Sequence, residues 1–368
     1  MESADLVIVG GGASGLSTAH AAHRLGLAPV VLEAGPEPVG SWPHYYDSLT
    51  LFSPARSSGL PGRPFPGAPD RYPTRDDVVA YLRDYAARLT AHAAADIRTG
   101  VRVTHVSRAA DGRGLVAHTG AGDAFTARYV VAATGGFGRP YTPTLPGADR
   151  FAGRILHAAD YRSPEEFAGQ RVVVVGGGNS AVQIAVDLAD AARVTLASRA
   201  PVRWVRQRIL GKDLHWWLAR TGLDTAPLSR RLGGTTMPVV DDGRHRAALA
   251  AGKPDRRPMF TGLTPNGVRW ADGTGEPVDT LVLATGYRPD LGYLEPVGAL
   301  DADGRPLHRA GVSTAVPGLG YVGLEWQRSL SSASLRGAAR DAQHVLTRLD
   351  APAKRRRPAG SRFDSRRY

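Results

Sequence analysis

Residues near the start of the chain have the types and the spacing needed to bind a dinucleotide. Gly10, Gly12 and Gly15 follow an apolar run of strand type and open a run with helical spacing. Glycines at these points permit a tight turn, a close backbone approach to a pyrophosphate and close packing of helix on strand. The N-terminus of such a helix offers N–H groups and the positive end of its dipole to phosphates. Glu33 ends the next apolar run, where a carboxylate accepts hydrogen bonds from a ribose diol and repels a 2′-phosphate.

The same arrangement recurs in the second half of the chain. Gly176 and Gly178 follow the apolar run at residues 171–175, and Ala181 stands at the third glycine position. A second apolar run at residues 194–198 follows the intervening helical stretch. The sequence therefore predicts two strand–turn–helix–strand units in one chain, each with its own phosphate-binding turn.

The two units differ at the position that contacts the adenosine ribose. We predict that Ala197 is the equivalent of Glu33, followed by Ser198 and Arg199. Without an acid, a hydroxyl and a guanidinium suit a 2′-phosphate, which arginine binds in bidentate fashion. The first site should hold a ligand with a free ribose, FAD or NAD, and the second should prefer NADPH. Further candidates for the phosphate are Arg203 and Arg206.

The elements that position these residues indicate an α/β fold with two Rossmann-like dinucleotide-binding domains, the NADPH domain being inserted into the FAD domain. We place the FAD domain at residues 1–164 and 281–350, and the NADPH domain at residues 165–280. Helices are predicted from residue 74, around residues 214–218 and over 332–349, and a last strand at 319–327. The arginine-rich residues 351–368 are expected to form a basic, disordered tail.

Composition narrows the function further. The chain has 368 residues and a net charge of +12, but only Lys212, Lys253 and Lys354 are lysines and no nucleic-acid-binding motif accompanies the arginines. We therefore expect no nucleic-acid partner. No apolar run approaches the roughly 20 residues that span a membrane. We expect no signal peptide before the first strand and a cytoplasmic location. Cysteine is absent, which excludes disulfide exchange and thiolate metal sites, and no metal site is predicted.

A motif between the two glycine turns suggests which reaction the two dinucleotides support. Phe151, Gly153, His157 and Tyr161 have the spacing F-x-G-x-x-x-H-x-x-x-Y. This resembles the fingerprint of the flavin-containing monooxygenases, and Baeyer–Villiger monooxygenases usually have Trp-Pro at its end. The likeness covers residues 4–349 and extends to bacterial potassium-transport flavoproteins and plant auxin-pathway monooxygenases. The further segments that carry it lie at 42–60, 72–75, 133–135, 284–286, 321–327 and 332–337.

The resemblance implies a class B flavoprotein monooxygenase. NADPH would reduce FAD, O₂ would form a C4a-(hydro)peroxyflavin, and a small molecule would be oxygenated, with N- or S-oxygenation favoured. Three alternatives stay open: Baeyer–Villiger oxidation, an NADPH oxidase or flavin reductase without oxygenation, and a non-catalytic flavin-bound regulatory protein. His157 is implied to orient the two domains. The partners expected are a small-molecule substrate and O₂, with a homodimer left open.

The chain departs from the family at one position near the reactive edge of the flavin. Relatives carry asparagine or histidine where this chain has Phe52, which donates no hydrogen bond, so Ser53 is a candidate substitute. Trp326 and Gln327 are further candidates for the substrate neighbourhood, and the Trp216–Trp217 pair is either a lid or a packing element. The remaining candidates for cofactor binding are Ser14, Trp42, Val103, Thr134, Gly135, Asn179, Ser180, Thr285 and Gly286.

Overall fold

The computed structural model describes residues 1–227 and 237–354, with side chains up to residue 350. The described helices are α1 (Ala13–Arg24), α2 (Arg75–Ala91), α3 (Asn179–Leu188), α4 (Leu214–Thr221), α5 (Arg244–Ala250) and α6 (Leu335–Lys354). The described strands are β1 (Glu2–Val9), β2 (Pro29–Leu32), β3 (Asp96–Arg98), β4 (Val103–Arg108), β5 (Leu115–Thr119), β6 (Ala124–Ala132), β7 (Arg139–Pro140), β8 (Arg154–His157), β9 (Arg171–Val175), β10 (Arg193–Ser198), β11 (Trp204–Arg206), β12 (Arg208–Ile209), β13 (Lys212–Asp213), β14 (Val239–Asp241), β15 (Asp255–Pro258), β16 (Gly262–Thr264), β17 (Gly267–Arg269), β18 (Gly275–Pro277), β19 (Thr280–Leu283), β20 (Tyr287–Arg288), β21 (His308–Arg309), β22 (Val312–Ser313) and β23 (Leu319–Tyr321).

The first unit is built on a sheet of nine described strands in the order β21-β22-β23-β6-β1-β2-β3, to which β5 and β4 are joined through β6. Strands β23, β6, β1, β2 and β3 are parallel, so their carboxyl ends share one edge. Helices α1, α2 and α6 cover one face, and the β4–β5 hairpin contributes to the core on the other. Ligands of such sheets bind at the carboxyl edge, where Gly10 and Glu33 lie.

The second unit has a five-stranded parallel sheet in the order β15-β10-β9-β19-β8. Helix α3 connects β9 to β10, as the repeat predicted, and its buried face belongs to one core while β19 also contributes to the core on the opposite face. The α/β fold with two Rossmann-like units is therefore confirmed.

The sheets place the unit boundaries elsewhere than the sequence did. Strand β8 was assigned to the first domain, yet it pairs with β19 in the second sheet. Strand β19 begins at Thr280, on the predicted boundary, and pairs with β9. Its similarity to β6 reflects an equivalent place in the two sheets, because β6 pairs with β1 as β19 pairs with β9. The second unit thus includes at least residues 154–283.

Local predictions hold best where capping residues mark the ends of helices. Helix α2 begins after Thr74, whose hydroxyl accepts from the Asp77 N–H while the Asp77 carboxylate accepts from the Thr74 N–H. The closing helix α6 runs to Lys354, further than the predicted 349, so residues 351–354 are helical. The rest of the predicted tail, residues 355–368, lies outside the described residues. The last strand ends at Tyr321 rather than 327. No described helix is apolar over enough of its length to cross a membrane.

Candidate functional site

The first glycine turn has the close contacts that the sequence predicts. A Cβ at Gly15 would stand 1.8 Å from the Gly10 carbonyl oxygen, so only glycine lets α1 pack this close to the strand. Gly10 has a φ of +106°, and a Cβ there would lie 2.8 Å from the Ala133 carbonyl oxygen. Gly12 is the N-cap of α1, and no described side chain caps that helix. The N–H groups and the dipole of α1 are therefore available to an anionic ligand.

Glu33 closes the same turn. It is 9% exposed, and its two carboxylate oxygens accept from the Gly11 N–H at 2.6 Å and the Gly35 N–H at 2.7 Å. A carboxylate has about four acceptor positions, so two remain for a ribose diol. Val101 rather than Val103 contacts this residue, since the Val101 N–H donates to the Glu33 carbonyl at 2.8 Å. Val103 is a core residue of β4, and its predicted cofactor role is not supported by its position.

The neighbouring strand ends complete this edge of the sheet. Thr134 and Gly135 follow β6, and a Cβ at Gly323, just after β23, would lie 2.2 Å from Ser14 Oγ and 3.8 Å from Gly135 Cα. Three separate segments therefore meet at the start of α1. Gly323 was not among the predicted site residues, because its place two residues past β23 and its φ of +95° are seen only in the fold. This arrangement fits a dinucleotide with a free ribose, as FAD has.

The second glycine turn repeats the first with small changes. Gly176 has a φ of +152°, and its added Cβ would lie 2.4 Å from the Ala284 carbonyl oxygen and 2.9 Å from Ala181 Cβ. Helix α3 starts from Gly178 and, among described residues, has neither a side-chain cap nor an acid in its first turn. By contrast, α2 and α4 are capped by their own Thr74 and Asp213. Both glycine turns therefore present an uncapped helix N-terminus to a phosphate.

The pairing of strands corrects the predicted equivalence between Glu33 and Ala197. Val9 pairs with Leu32 in the first unit and Val175 pairs with Ala197 in the second, so Ala197 corresponds to Leu32 and Ser198 to Glu33. Ala197 is fully buried in the core. The second unit thus replaces the acid by Ser198 itself, and Arg199 is the exposed residue after it.

The other residues predicted to bind the nucleotide of the second site differ in their contacts. The Ser198 hydroxyl donates to the Ala200 carbonyl at 2.8 Å, so it holds its own turn. Asn179 Oδ1 accepts from the Val240 N–H at 3.0 Å and ties α3 to β14. Ser180 is the second residue of α3, and the Tyr46 hydroxyl donates to Gln183 Oε1 in the same helix. The side chains of three arginines are exposed, Arg199, Arg203 and Arg206, and Arg203 also interacts with another part of the protein. These cationic side chains suit the 2′-phosphate of NADPH. Arg199 follows Ser198 directly in the sequence.

His157 lies where the chain passes between the units. The two connecting strands, β7 and β20, pair with each other. The His157 ring is buried, and its Nδ1 accepts from the Ala159 N–H at 3.0 Å, so Nε2 carries the proton and donates to the Gly286 carbonyl at 3.1 Å. The same carbonyl accepts from the Tyr141 N–H at 3.0 Å, and Thr285 Oγ1 donates to the Tyr141 carbonyl. His157 therefore holds the connection rather than facing a ligand.

The other motif residues are structural in the same sense. A Cβ at Gly153 would lie 2.4 Å from the Phe151 ring and 2.6 Å from the Asp279 carbonyl oxygen, so this glycine lets Phe151 fold onto the second core. Tyr161 is fully buried and donates to Asp187 Oδ2 at 2.8 Å. Ser48 donates to the same oxygen at 2.9 Å, which fastens the loop at residues 42–50 to α3.

Burial lowers the pKa of His157, against the opposing effect of its hydrogen bond to Gly286. The folded ring therefore takes up a proton at lower pH than the unfolded chain does, where histidine titrates near pH 6.5. The unfolded state then binds more protons, so stability falls as the pH is lowered through this range. We expect His157→Gln, whose amide makes one similar bond without titrating, to show a shallower loss of unfolding free energy between pH 7.5 and 5.5 in urea titrations. An unchanged slope would contradict this role.

The predicted catalytic residues do not all meet. Phe52 is 41% exposed and its ring stacks on His215 from the second unit, 6.0 Å between centroids. Ser53 is buried and its hydroxyl pairs with Ser58 Oγ at 2.9 Å within the same loop. Trp42 packs on the first core and against Tyr45. Ser53 and Trp42 therefore both have packing or loop contacts of their own.

Gln327 was predicted as a catalytic residue, and its contacts do not support that role. Its side chain is 3% exposed, donates to the Tyr321 carbonyl at 2.7 Å and accepts from the Leu324 N–H at 3.3 Å, so both ends of the amide shape one turn. Trp326, with a φ of +54°, is only partly buried and stays a candidate. Trp217 donates to the Ile209 carbonyl at 2.9 Å, so at least this half of the tryptophan pair packs on the β12–β13 hairpin.

Comparisons with known proteins agree with this geometry. Residues 7–216 match the family described as pyridine nucleotide-disulphide oxidoreductase. The chain is 34% identical over 329 residues to the indole-3-pyruvate monooxygenase YUCCA1 of Oryza sativa, covering 80% of this chain and 79% of that one. It is 29% identical to a CzcO-like oxidoreductase of Geobacillus kaustophilus, covering 93% and 97%. The solved flavin-containing monooxygenase of Stenotrophomonas maltophilia aligns with a TM-score of 0.83 and 33% identity over 96% of this chain and all of that one.

Proposed function

Since the chain belongs to the class B flavin-containing monooxygenase family, we propose that it uses NADPH, FAD and O₂ to oxygenate a small molecule, by N- or S-oxygenation. The membership makes it an oxidoreductase and implies FAD and NADPH as its cofactors. The choice of NADPH over NADH and the kind of oxygenation are parts of the proposal.

The observation that carries the proposal is the contrast between two uncapped helix N-termini in one chain. In the first unit, Glu33 comes directly after the strand that follows the helix. In the second unit, Ser198 stands at the corresponding position and Arg199 is the next residue. A carboxylate beside the ribose favours a free diol, and a guanidinium favours a 2′-phosphate. The pair therefore supports FAD in the first unit and NADPH in the second, with hydride passing between two cofactors.

The absence of cysteine decides against one reaction of the wider family. With no cysteine in the sequence, the chain cannot pass electrons to a disulfide through a thiol pair of its own. When bound, FAD supplies the hydride acceptor and the site at which O₂ is activated. The protein's own residues then bind the two nucleotides and hold the units together, through the hydrogen bond of His157 to the connecting segment and that of Ser48 to Asp187.

A second candidate function is favoured by Phe52 and Ser53. Phe52 cannot donate a hydrogen bond, and the Ser53 hydroxyl is paired with Ser58. An enzyme that lacks a donor at the reactive edge would release H₂O₂ instead of oxygenating a substrate, which is the activity of an NADPH oxidase. The proportion of NADPH consumed that appears as H₂O₂ distinguishes the two functions.

The test uses the purified protein with bound FAD. We expect NADPH to reduce the flavin anaerobically and much faster than NADH does. With O₂, a panel containing a thioether, a tertiary amine, a cyclic ketone and indole-3-pyruvate should include a substrate that lowers H₂O₂ per NADPH and gives an oxygenated product. Stoichiometric H₂O₂ with every compound would favour the oxidase, and a flavin that NADPH does not reduce would overturn both.

A further inference from the structure

A buried carboxylate outside the nucleotide sites joins the two units beside Phe52. Asp213 is 8% exposed and accepts four hydrogen bonds. Its Oδ1 accepts from the His215 N–H at 2.7 Å and from His215 Nδ1 at 2.9 Å. Its Oδ2 accepts from the Tyr72 hydroxyl at 2.7 Å and from Gln207 Nε2 at 3.0 Å. All four acceptor positions of this carboxylate are thereby used.

The four donors belong to different parts of the molecule. His215 and Gln207 lie in the inserted second unit, whereas Tyr72 lies in the long loop of the first unit. Gln207 Nε2 also donates to the Phe52 carbonyl at 2.6 Å, and the His215 ring stacks on the Phe52 ring at 19°. The second unit therefore contacts both the backbone carbonyl and the aromatic ring of Phe52.

These contacts lie where the two ends of one loop, residues 50–53 and 72–74, run side by side. Thr50 and Thr74 form a β-bridge, and the Leu51 N–H donates to the Pro73 carbonyl at 2.8 Å. The segments that carry Phe52 and Tyr72 thus lie side by side. Asp213 bonds directly to Tyr72 in one segment. It acts on Phe52 in the other segment through Gln207 and His215. One carboxylate therefore stabilises both ends of the loop.

The charge of the carboxylate suits this role. Burial acts to raise the pKa of Asp213, but the hydrogen bonds from its donors outweigh burial and lower the pKa to about 2. The group is therefore ionised at neutral pH, and hydrogen bonds to an ionised acceptor are roughly twice as strong as neutral ones. Since the carboxylate only accepts, His215 Nδ1 is the donor in its bond to Asp213.

We propose that Asp213, with His215 and Gln207, is a positioning group by which the second unit sets the place of Phe52, and through Phe52 sets how much of the O₂ reaction is coupled to substrate. The coupling part rests on the proposed function; the positioning part does not.

The chain contains a matched control for this group. Asp241 and His245 form a second buried aspartate–histidine pair, with Nδ1 to Oδ1 at 3.0 Å and the His245 N–H on the same oxygen at 3.1 Å. The other oxygen accepts from the Arg246 N–H at 3.2 Å, in the same helix. With Asp242, these residues offer three metal-ligand atoms within 4.8 Å of one another, but the hydrogen bonds account for Asp241 as the cap of α5. The Asp241 side chain resembles that of Asp213 without contacting the first unit. Its backbone carbonyl accepts from the Gln207 N–H at 2.8 Å, a bond that Asp241→Asn leaves in place.

The first measurement is hydrogen exchange in the purified protein as isolated. Asp213→Asn and Tyr72→Phe are expected to speed exchange of the amides at residues 50–53 at least tenfold, and Asp241→Asn should change exchange only around α5. Tyr72→Phe leaves the α4 cap intact, so it separates the contact between units from helix capping. Exchange at residues 50–53 within twofold of the unaltered protein in both variants, or equal acceleration by Asp241→Asn, would overturn the positioning role.

The second measurement uses the FAD-loaded protein and a coupled substrate. Asp213→Asn and Tyr72→Phe should raise H₂O₂ per NADPH at least threefold while the anaerobic rate of flavin reduction stays within twofold. Asp241→Asn should match the unaltered protein in both quantities. Unchanged coupling in the variants would overturn the proposed control of the O₂ reaction. Failure of the unaltered protein to oxidise NADPH would instead count against the proposed function, and the exchange result would still decide the positioning role.

Discussion

Replacing Gly178 by alanine should lower kcat/KM for NADPH in flavin reduction at least tenfold while leaving the stability of the fold nearly unchanged. A Cβ at this position would meet no described atom within 4 Å. The backbone there, with φ −95° and ψ −173°, is extended and open to any residue. Only a ligand brought close to the backbone at the start of α3 would collide with the added methyl group.

The expectation is specific because the cost to the protein alone is small. Alanine is a poorer N-cap than glycine by up to about 1 kcal/mol, and replacing glycine restricts the unfolded chain by about 0.4–1 kcal/mol in the opposite direction. Gly292→Ala is the matched control, since its Cβ would also meet no described atom within 4 Å and Gly292 belongs to neither glycine turn. Gly12→Ala is less clean, because its Cβ would press on Gly40 Cα at 3.3 Å.

Anaerobic stopped-flow reduction at several NADPH concentrations measures this effect, and urea titration of the FAD-free protein measures stability. A Gly178→Ala protein that NADPH reduces as fast as the unaltered one would show that the pyrophosphate does not lie against this turn. Equal losses with Gly292→Ala would assign the effect to the fold.

The glycine turns could be predicted from the sequence because each needs only local information. A strand of apolar residues, a turn without Cβ atoms and a helix start occur within fifteen residues, and steric limits at Gly10 and Gly15 allow few alternatives. The Thr74 cap of α2 is local for the same reason. Such features need no knowledge of what packs against them.

The errors concern relations between distant segments. Placing Ala197 opposite Glu33 was wrong by one residue, because the alignment of two units depends on strand register and a shift of one residue exchanges a buried side chain for a ligand-facing one. Gln327 was predicted to lie in the substrate neighbourhood, but only the folded turn shows that Tyr321 and Leu324 use both ends of its amide. Strand β8 was placed in the wrong unit, since a four-residue strand carries no mark of the sheet it joins.

The Asp213 network also depends on contacts between residues that are distant in the sequence, and it was not predicted. Tyr72 and Asp213 are separated by 141 residues, and Gln207 and Phe52 by 155. Neither pairing leaves a periodic pattern in the sequence. The sequence pointed to Phe52 as a departure from the family, and the fold then showed that a histidine from the other unit stacks on it.

Replacing Ser198 by glutamate should shift the preference for NADPH over NADH at least a hundredfold toward NADH. Ser198 stands where Glu33 stands in the first unit, and the added Cβ of Gly177 would lie 3.6 Å from Ser198 Cβ, as that of Gly11 would lie 2.9 Å from Glu33 Cβ. A new carboxylate would therefore face the ribose and meet the 2′-phosphate. At about 4 Å and an effective dielectric constant of about 20, two like charges repel by about 4 kcal/mol, which exceeds the roughly 2.7 kcal/mol of a hundredfold change.

The companion variants separate charge from shape. Ser198→Ala removes a hydroxyl that already donates to the Ala200 carbonyl, so it should change the preference less than fivefold. Arg199→Ala should weaken NADPH about tenfold or more, as expected for one lost charge-assisted bond, and leave NADH alone. Arg150→Ala, an exposed arginine of the linker region, is the control. The ratio of kcat/KM for NADPH and NADH measures all four. A Ser198→Glu protein that keeps its preference would mean that the adenosine ribose does not lie at the end of β10, and the contrast with Glu33 would then no longer support assigning NADPH to the second unit.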